Sequence, residues 1–181
     1  VLKADGYRTR VGEIVQGTCV KHEVDVIAER ANVRCMIECK FHGKGKHSDV
    51  KTPLYIRSRF VDVEEAWSME PEQEGKEFEG WVVTNTRFTT DAEQYGSCVG
   101  LKMVSWDEPK GSSIKERIDR SGLHPITSLT SLTLSEKKAL LDMDIVLCSE
   151  LNKAPQLLGK VGITKRRMNR VLKESTQLCA H

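Results

Sequence analysis

The residue types that could do chemistry in this chain lie in two short segments, His22-Glu23-Val24-Asp25-Val26-Ile27 and Ile37-Glu38-Cys39-Lys40. Together they put Asp25, Glu38 and Lys40 on two neighbouring strands. Strand side chains alternate faces, so Val33, Cys35, Ile37 and Cys39 point one way and Arg34, Met36, Glu38 and Lys40 the other. Glu38 and Lys40 then share a face, roughly 7 Å apart along the strand. A hairpin turning at Ala31-Asn32 sets Glu29 against Arg34, Ile27 against Met36, Asp25 against Glu38 and Glu23 against Lys40. Three of these pairs are compatible. Asp25 against Glu38 opposes like charges, at a cost of up to about 1 kcal/mol. A divalent cation between the carboxylates reverses that sign.

Two carboxylates and a lysine on adjacent strands suit metal-assisted cleavage of a phosphodiester. Asp25 and Glu38 would hold Mg2+ (or Mn2+) through oxygen. The metal would acidify a water and stabilise charge on the phosphate. Lys40 would orient that water or neutralise the pentavalent state as a point charge, with His22 a supporting neighbour. The plain alternative is a solvated hairpin whose carboxylates face water, and motifs this short leave it open. Cys35, Cys39, His42 and His47 do not have zinc spacing, because the loop between the pairs is too short for the usual finger. Cys35 and Cys39 read as core, His42 and His47 as a mobile loop.

From about Gly6 to Trp106 the chain resembles the Mrr-like catalytic domains of the PD-(D/E)xK nuclease superfamily. The likeness rests on Gly6-Tyr7 closing a first helix and on the two segments above. It also uses Val83-Thr84-Asn85-Thr86-Arg87-Phe88-Thr89-Thr90-Asp91-Ala92-Glu93-Gln94-Tyr95 and Val99-Gly100-Leu101-Lys102-Met103-Val104. The resemblance implies that Asp25 and Glu38 are metal ligands and Lys40 the catalytic lysine. It implies a restriction-endonuclease-like α/β fold, a mixed central sheet flanked by helices. The implied activity is a Mg2+-dependent endonuclease on double-stranded DNA, in type IV restriction-like defence against foreign or modified DNA. Family members often carry a further acid on the first helix, which here would fall upstream of Val1; Glu13 is a candidate stand-in. Where the family often has glutamine or aspartate, Glu38 keeps a ligand. A junction-resolving or repair nuclease on the same core remains open, as does a non-catalytic DNA-binding or regulatory module. Cutting two strands needs two sites, which makes a homodimer plausible.

A chain of 181 residues can bury a real core and fits one domain plus a small appendage. About three-tenths of its residues are charged, ordinary for a globular protein. No apolar run approaches the ~18–20 residues a bilayer span needs, and no signal peptide is visible. Six cysteines without framework spacing fit reduced thiols in a cytoplasm. The net charge of +2 hides an uneven distribution. Glu64, Glu65, Glu70, Glu72, Glu74, Glu77 and Glu79 face only Lys76 in their span. Two basic regions balance them: Arg34, Lys40, Lys44, Lys46, Lys51, Arg57 and Arg59, and then Lys160, Lys165, Arg166, Arg167, Arg170 and Lys173. Basic clusters beside a metal site suit a polyanion, although solvated faces of mixed charge look the same in sequence. Lys44, Lys46, Lys51 and Arg57 are the backbone-contact candidates of the first region.

Arg8–Gln16 reads as a first strand, and Pro53–Trp67 as a helix burying Ile56, Phe60, Val63 and Trp67. An acidic loop to Glu79 follows, then a strand over Trp81–Thr86. Thr90 with Glu93 opens a helix through Tyr95, and Val99–Val104 is the last strand. The spacing predicts a core over 1–108, a connecting helix and linker over 109–125, and a small all-helical domain over 126–181. Ser113 with Glu116 and Thr133 with Glu136 are helix caps. Further short helices are expected over Ile145–Leu151 and Pro155–Leu158. In the tail, Leu157-Leu158-Gly159-Lys160-Val161-Gly162-Ile163-Thr164 resembles a helix-hairpin-helix turn, capped by Thr164, whose backbone N–H groups can approach phosphate. Met168, Val171 and Leu172 make the buried stripe, leaving Lys165, Arg166, Arg167 and Arg170 for DNA. A bundle that packs on a partner protein is the alternative.

Overall fold

Alternating and β-branched residues build five strands: β1 (Arg8–Gln16), β2 (Lys21–Arg30), β3 (Val33–Lys40), β4 (Glu77–Thr84) and β5 (Lys102–Val104). They form one mixed sheet in that order, antiparallel across β1-β2-β3 and parallel across β3-β4-β5. The parallel joins need crossovers, supplied by helices α1 (Lys51–Ser68) and α2 (Thr90–Cys98). The computed structural model describes residues 1–43, 46–71 and 75–180. By its contacts the chain divides into two compact units, residues 2–116 and residue 117 onward.

In the first unit α1 lays Ile56, Phe60, Val63 and Trp67 against Ile27, Met36 and Val82 of the sheet, joined by Ala92 of α2. That stripe is the one expected from helical spacing. The other face buries Ala28, Cys35, Ile37, Trp81 and Val104 beneath Leu2, Tyr7 and Ile114. Cys35 is therefore core. Cys39 is exposed, contrary to expectation, because this second core ends at Ile37. Leu2–Gly6 form a turn closed by bonds from the Gly6 N–H to the Lys3 carbonyl and from the Tyr7 N–H to the Leu2 carbonyl, with Gly6 at φ 84°. Gly6 thus closes a turn, where the resemblance implies that Gly6-Tyr7 closes a first helix.

Element ends differ where charge misleads. β4 starts at Glu77 rather than Trp81, because Glu79 is held half-buried by Lys102 (2.6 Å) and the Trp81 indole (2.9 Å). Glu64 and Glu65 ride on α1, as the helix expected over Pro53–Trp67 implies, and α1 runs from Lys51 to Ser68. The cap of α2 is Thr89, one residue before the expected Thr90, and the helix runs on to Cys98. That extension, with Gly100 at φ 76°, leaves β5 only three residues.

Helix α3 (Ile114–Ser121) opens on the reciprocal Ser113–Glu116 bonds and stops at Gly122, as expected. In the second unit α4 (Leu134–Leu141) has the Thr133–Glu136 capping box. Short helices α5 (Cys148–Lys153) and α6 (Gln156–Lys160) precede α7 (Lys165–Leu178). Their apolar faces meet in a core of Ile126, Leu129, Leu140, Cys148, Leu151, Leu158, Ile163 and Val171, with Met168 and Leu172 packed against it. Gly162 turns the chain at φ 81° between α6 and α7; Thr164 stands at the cap but its side chain makes no cap bond. No helix among the described residues is long and apolar enough to cross a membrane.

Candidate active site

Asp25 occupies the one irregular place in β2. The β2–β3 ladder has the expected pairs Ile27 with Met36 and Glu29 with Arg34, but it stops at Val26 with Ile37. The expected pairs Asp25–Glu38 and Glu23–Lys40 lie beyond it. On the other side the β1–β2 ladder skips Gly12 and Asp25, and Gly12 takes φ 66°, a conformation that favours glycine. Val24 and Ile27, three residues apart, both reach the α1-facing core. Strict alternation would separate them, so the strand changes face around Asp25. Released from the ladder, the Asp25 carboxylate accepts the Cys39 N–H at 2.7 Å.

Glu38 is 5 % exposed. A carboxylate so desolvated is tolerated only with partners, and it has two. The Lys40 Nζ donates to Oε1 at 2.7 Å and the Arg59 Nη1 to Oε2 at 3.0 Å. Arg59 also donates to the Glu23 carbonyl and lies 5.4 Å from the centre of the Tyr55 ring. His22, Glu23, Asp25, Glu38, Lys40 and Arg59 line one open cleft of about 410 Å³, with Tyr55 on its wall.

A second network braces the cleft from behind. His22 Nε2 meets Asp62 Oδ2 at 2.7 Å, and the same carboxylate accepts the Cys19 and Val20 N–H groups. The His22 hydrogen bond, aided by those N–H donors, holds the Asp62 carboxyl down at about 2. Asp62 thus ties the β1–β2 turn and His22 to α1. At the far end of β3 the Asn85 side chain bonds the His42 N–H (2.8 Å) and carbonyl (2.9 Å), and the His42 ring meets Ser48 at 2.7 Å. His42 is held, not part of a mobile loop.

The structure thus brings together four of the expected residues, His22, Asp25, Glu38 and Lys40. It adds Arg59 and Asp62, which the sequence reading left out of the site. Their signal was present: Tyr55, Arg59 and Asp62 are four and three residues apart, a polar stripe beside the apolar stripe of α1. Lys46 is exposed on the connection after β3 and Lys51 at the start of α1, while Arg57 pairs with Glu64 at 3.6 Å. Lys44 lies outside the described residues. In the second unit Lys165, Arg166 and Arg170 are exposed on α7. Arg167 instead bonds Glu136 (2.5 and 2.9 Å) and the Ser131 carbonyl (3.0 Å), so its fork braces α4 while the side chain stays 42 % exposed.

As donors for a metal, Asp25 and Glu38 are hard oxygen ligands in one cleft. That suits Mg2+, which commonly takes one or two carboxylates and fills its shell with water and phosphate oxygens. Among the described residues no group of three or more His, Cys, Asp or Glu side chains forms a closed protein cage.

A family model described as AF1548-like, C-terminal, matches residues 124–179. Over 179 residues, 98 % of this chain and 97 % of the other, the sequence is 33 % identical to an uncharacterized protein of Archaeoglobus fulgidus. The fold is similar to the crystal structure of a protein of unknown function, AF1548, at TM-score 0.71 and 33 % identity over 99 % of this chain and 92 % of that one. An EndoMS complex with double-stranded DNA is also similar, at TM-score 0.41 and 16 % identity over 57 % of this chain and 38 % of that one, too slight a likeness to bear on function.

Proposed function

The chain belongs to the AF1548-like family, and we propose that it is a Mg2+-dependent endonuclease on double-stranded DNA, serving restriction of foreign or modified DNA. The observation that carries this reading is the Glu38–Lys40 pair, nearly buried on its carboxylate side and sharing an open cleft with Asp25. The Mrr-like order of motifs supplies the restriction role.

Asp25 and Glu38 would hold the ion. When bound, Mg2+ supplies Lewis acidity toward a phosphate oxygen and lowers the pKa of a water. The protein's own groups do the rest. Lys40, half-buried beside Glu38, presents a compact cation where charge builds on the phosphorus. Arg59 compensates the buried carboxylate before substrate arrives, sparing the cost of a lone charge. The His22–Asp62 bond and the two N–H groups on Asp62 keep the cleft wall fixed to α1, so approach geometry is set in advance. Exposed Lys46, Lys51, Lys165, Arg166 and Arg170 can each neutralise a phosphate, a contribution that weakens with salt. A second copy would supply the second site for the opposite strand.

The test is nicking of supercoiled plasmid with MgCl2 or with EDTA, by the wild type, Lys40→Ala and Asp25→Asn. Each substitution should cost about 100-fold or more in rate, and EDTA should abolish cleavage. Equal nicking by wild type and Lys40→Ala would remove the assignment.

A further inference from the structure

We propose that the exits of β3, β4 and β5 carry a stacking platform for unpaired DNA bases, built from Phe41 and Trp106. The inference rests on the nuclease reading and narrows the form of its substrate. Lys40 pairs with Thr84 across β3 and β4, so Phe41 is level with Asn85. Val83 pairs with Val104 across β4 and β5, so Trp106 reaches the same level. Phe41, Asn85 and Trp106 therefore form a row across three adjacent strand ends, the outer two backbones about 10 Å apart.

Both rings face water: Phe41 is 85 % exposed and Trp106 44 %. Single exposed apolar residues need no explanation, but two aromatics at one level, on fixed backbone, do. The Asn85 amide grips both backbone groups of His42, next to Phe41. The Trp106 N–H bonds the Thr86 carbonyl at 3.0 Å, and its carbonyl accepts the Lys115 N–H at 3.1 Å. Stacked bases rise by about 3.4 Å each, so a run of two or three bases matches the row. Cations flank it: exposed Lys46 on the connection after Phe41, and exposed Lys115 beside Trp106. Rigid aromatics within a basic border hold single strands by stacking, tolerant of sequence. A fully paired duplex hides the base faces such rings need. The substrate is thus DNA with an unpaired stretch beside the cut.

The experiment uses the full chain in EDTA, where metal-dependent cutting is excluded, and reads fluorescence anisotropy with three labelled DNAs: paired duplex, the same duplex with a central bubble, and single strand. The bubble and single strand should bind at least tenfold tighter than the duplex. Phe41→Ala and Trp106→Ala should each weaken binding of the single strand on the order of tenfold. The slope of log affinity against log salt should not change, whereas Lys46→Ala should flatten it. Phe41→Tyr and Trp106→Phe, which keep the ring, should bind like the wild type. Equal affinity for all three DNAs, or unaltered binding by both alanine variants, overturns the platform. Those results leave nicking by wild type and Lys40→Ala untouched, so loss of the platform and loss of the nuclease reading are separate outcomes.

Discussion

Replacing Arg59 with glutamine should make the metal-free protein less stable and a better host for metal, and both effects trace to one carboxylate. The Glu38 side chain is 7 % exposed, and its oxygens are shared between Lys40 at 2.7 Å and Arg59 at 3.0 Å. Removing one partner from a buried ion pair costs about 3–5 kcal/mol when the remaining charge is left alone. Lys40 stays, so the expected loss is smaller, about 1–3 kcal/mol. For a chain of this length that lowers Tm by about 3–10 °C. The second effect has the opposite sign. Any dication that Glu38 ligates shares that carboxylate with the guanidinium. A unit charge repels a dication about 6 Å away by about 1.4 kcal/mol even in bulk water, and by more in a half-buried cleft. Relief of that repulsion corresponds to a Kd for Mg2+ about tenfold lower.

Circular-dichroism melts across a MgCl2 series and calorimetric titration of the metal alone read the two effects independently. Arg59→Gln should melt lower in EDTA, yet gain more from Mg2+, since a ligand at free concentration L stabilises the folded state by RT ln(1 + L/Kd), which grows as Kd falls. Identical Mg2+ responses in the two proteins would refute the reasoning even if the EDTA melt fell, because Glu38 would then not be competing for the ion.

Two further outcomes are expected. A Cβ on Gly17 would run into the Asp62 carboxylate, so Gly17→Ala should cost roughly 1–3 kcal/mol by urea unfolding and free the β1–β2 turn; an unchanged midpoint would show that Asp62 does not fix that turn. Acid should act through carboxylates with depressed pKa values, among them three whose partners come from distant segments. Asp62 is held at about 2 chiefly by His22, and Glu136 at about 2 chiefly by Arg167. Burial works to raise Glu174, but the hydroxyl and N–H groups of Ser131 and Thr130 outweigh it and hold the group at about 2. Each contributes stability that is complete above its ordinary value, 3.8 for Asp62 and 4.5 for the glutamates, and is lost as pH falls toward 2. Unfolding free energy from these groups should be flat above about pH 5 and decline between about 4.5 and 2; a decline centred near pH 6 would assign the acid response elsewhere.

The reading of β3 and α1 from sequence worked because their hydrophobic periods are strong: Cys35 and Ile37 on one face of β3, Ile56, Phe60, Val63 and Trp67 along α1. The caps at Ser113 and Thr133 were legible because a serine or threonine followed three residues later by glutamate is a local device. What failed depended on distant partners. Glu79 looked like loop until Lys102 and Trp81 came from other segments to hold it. The ion pair of Arg167 with Glu136, thirty-one residues earlier, was likewise not legible. The face change at Asp25 was hidden because it depends on Gly12, one strand away, adopting a positive φ.

The same dependence explains why the centre of this site cannot be separated from the core. One face of α1 inserts Ile56, Phe60 and Val63 into the apolar interior, and the adjoining face sends Arg59 to Glu38 and Asp62 to His22. Burial of the first face sets the rotation and height of the helix, and with them the positions from which the second face reaches the strands. Packing density tolerates little displacement, so a core substitution such as Phe60→Ala reaches the cleft through helix position without touching a polar group. The electrostatic partners of Glu38 come from two sources of different rigidity. Lys40 is two residues along the same strand, whereas Arg59 comes from α1, whose position depends on the core beneath it. Loosening that core should therefore detach Arg59 while Lys40 remains, and the chemistry of the cleft should shift toward that of the arginine-free variant before the sheet itself unfolds.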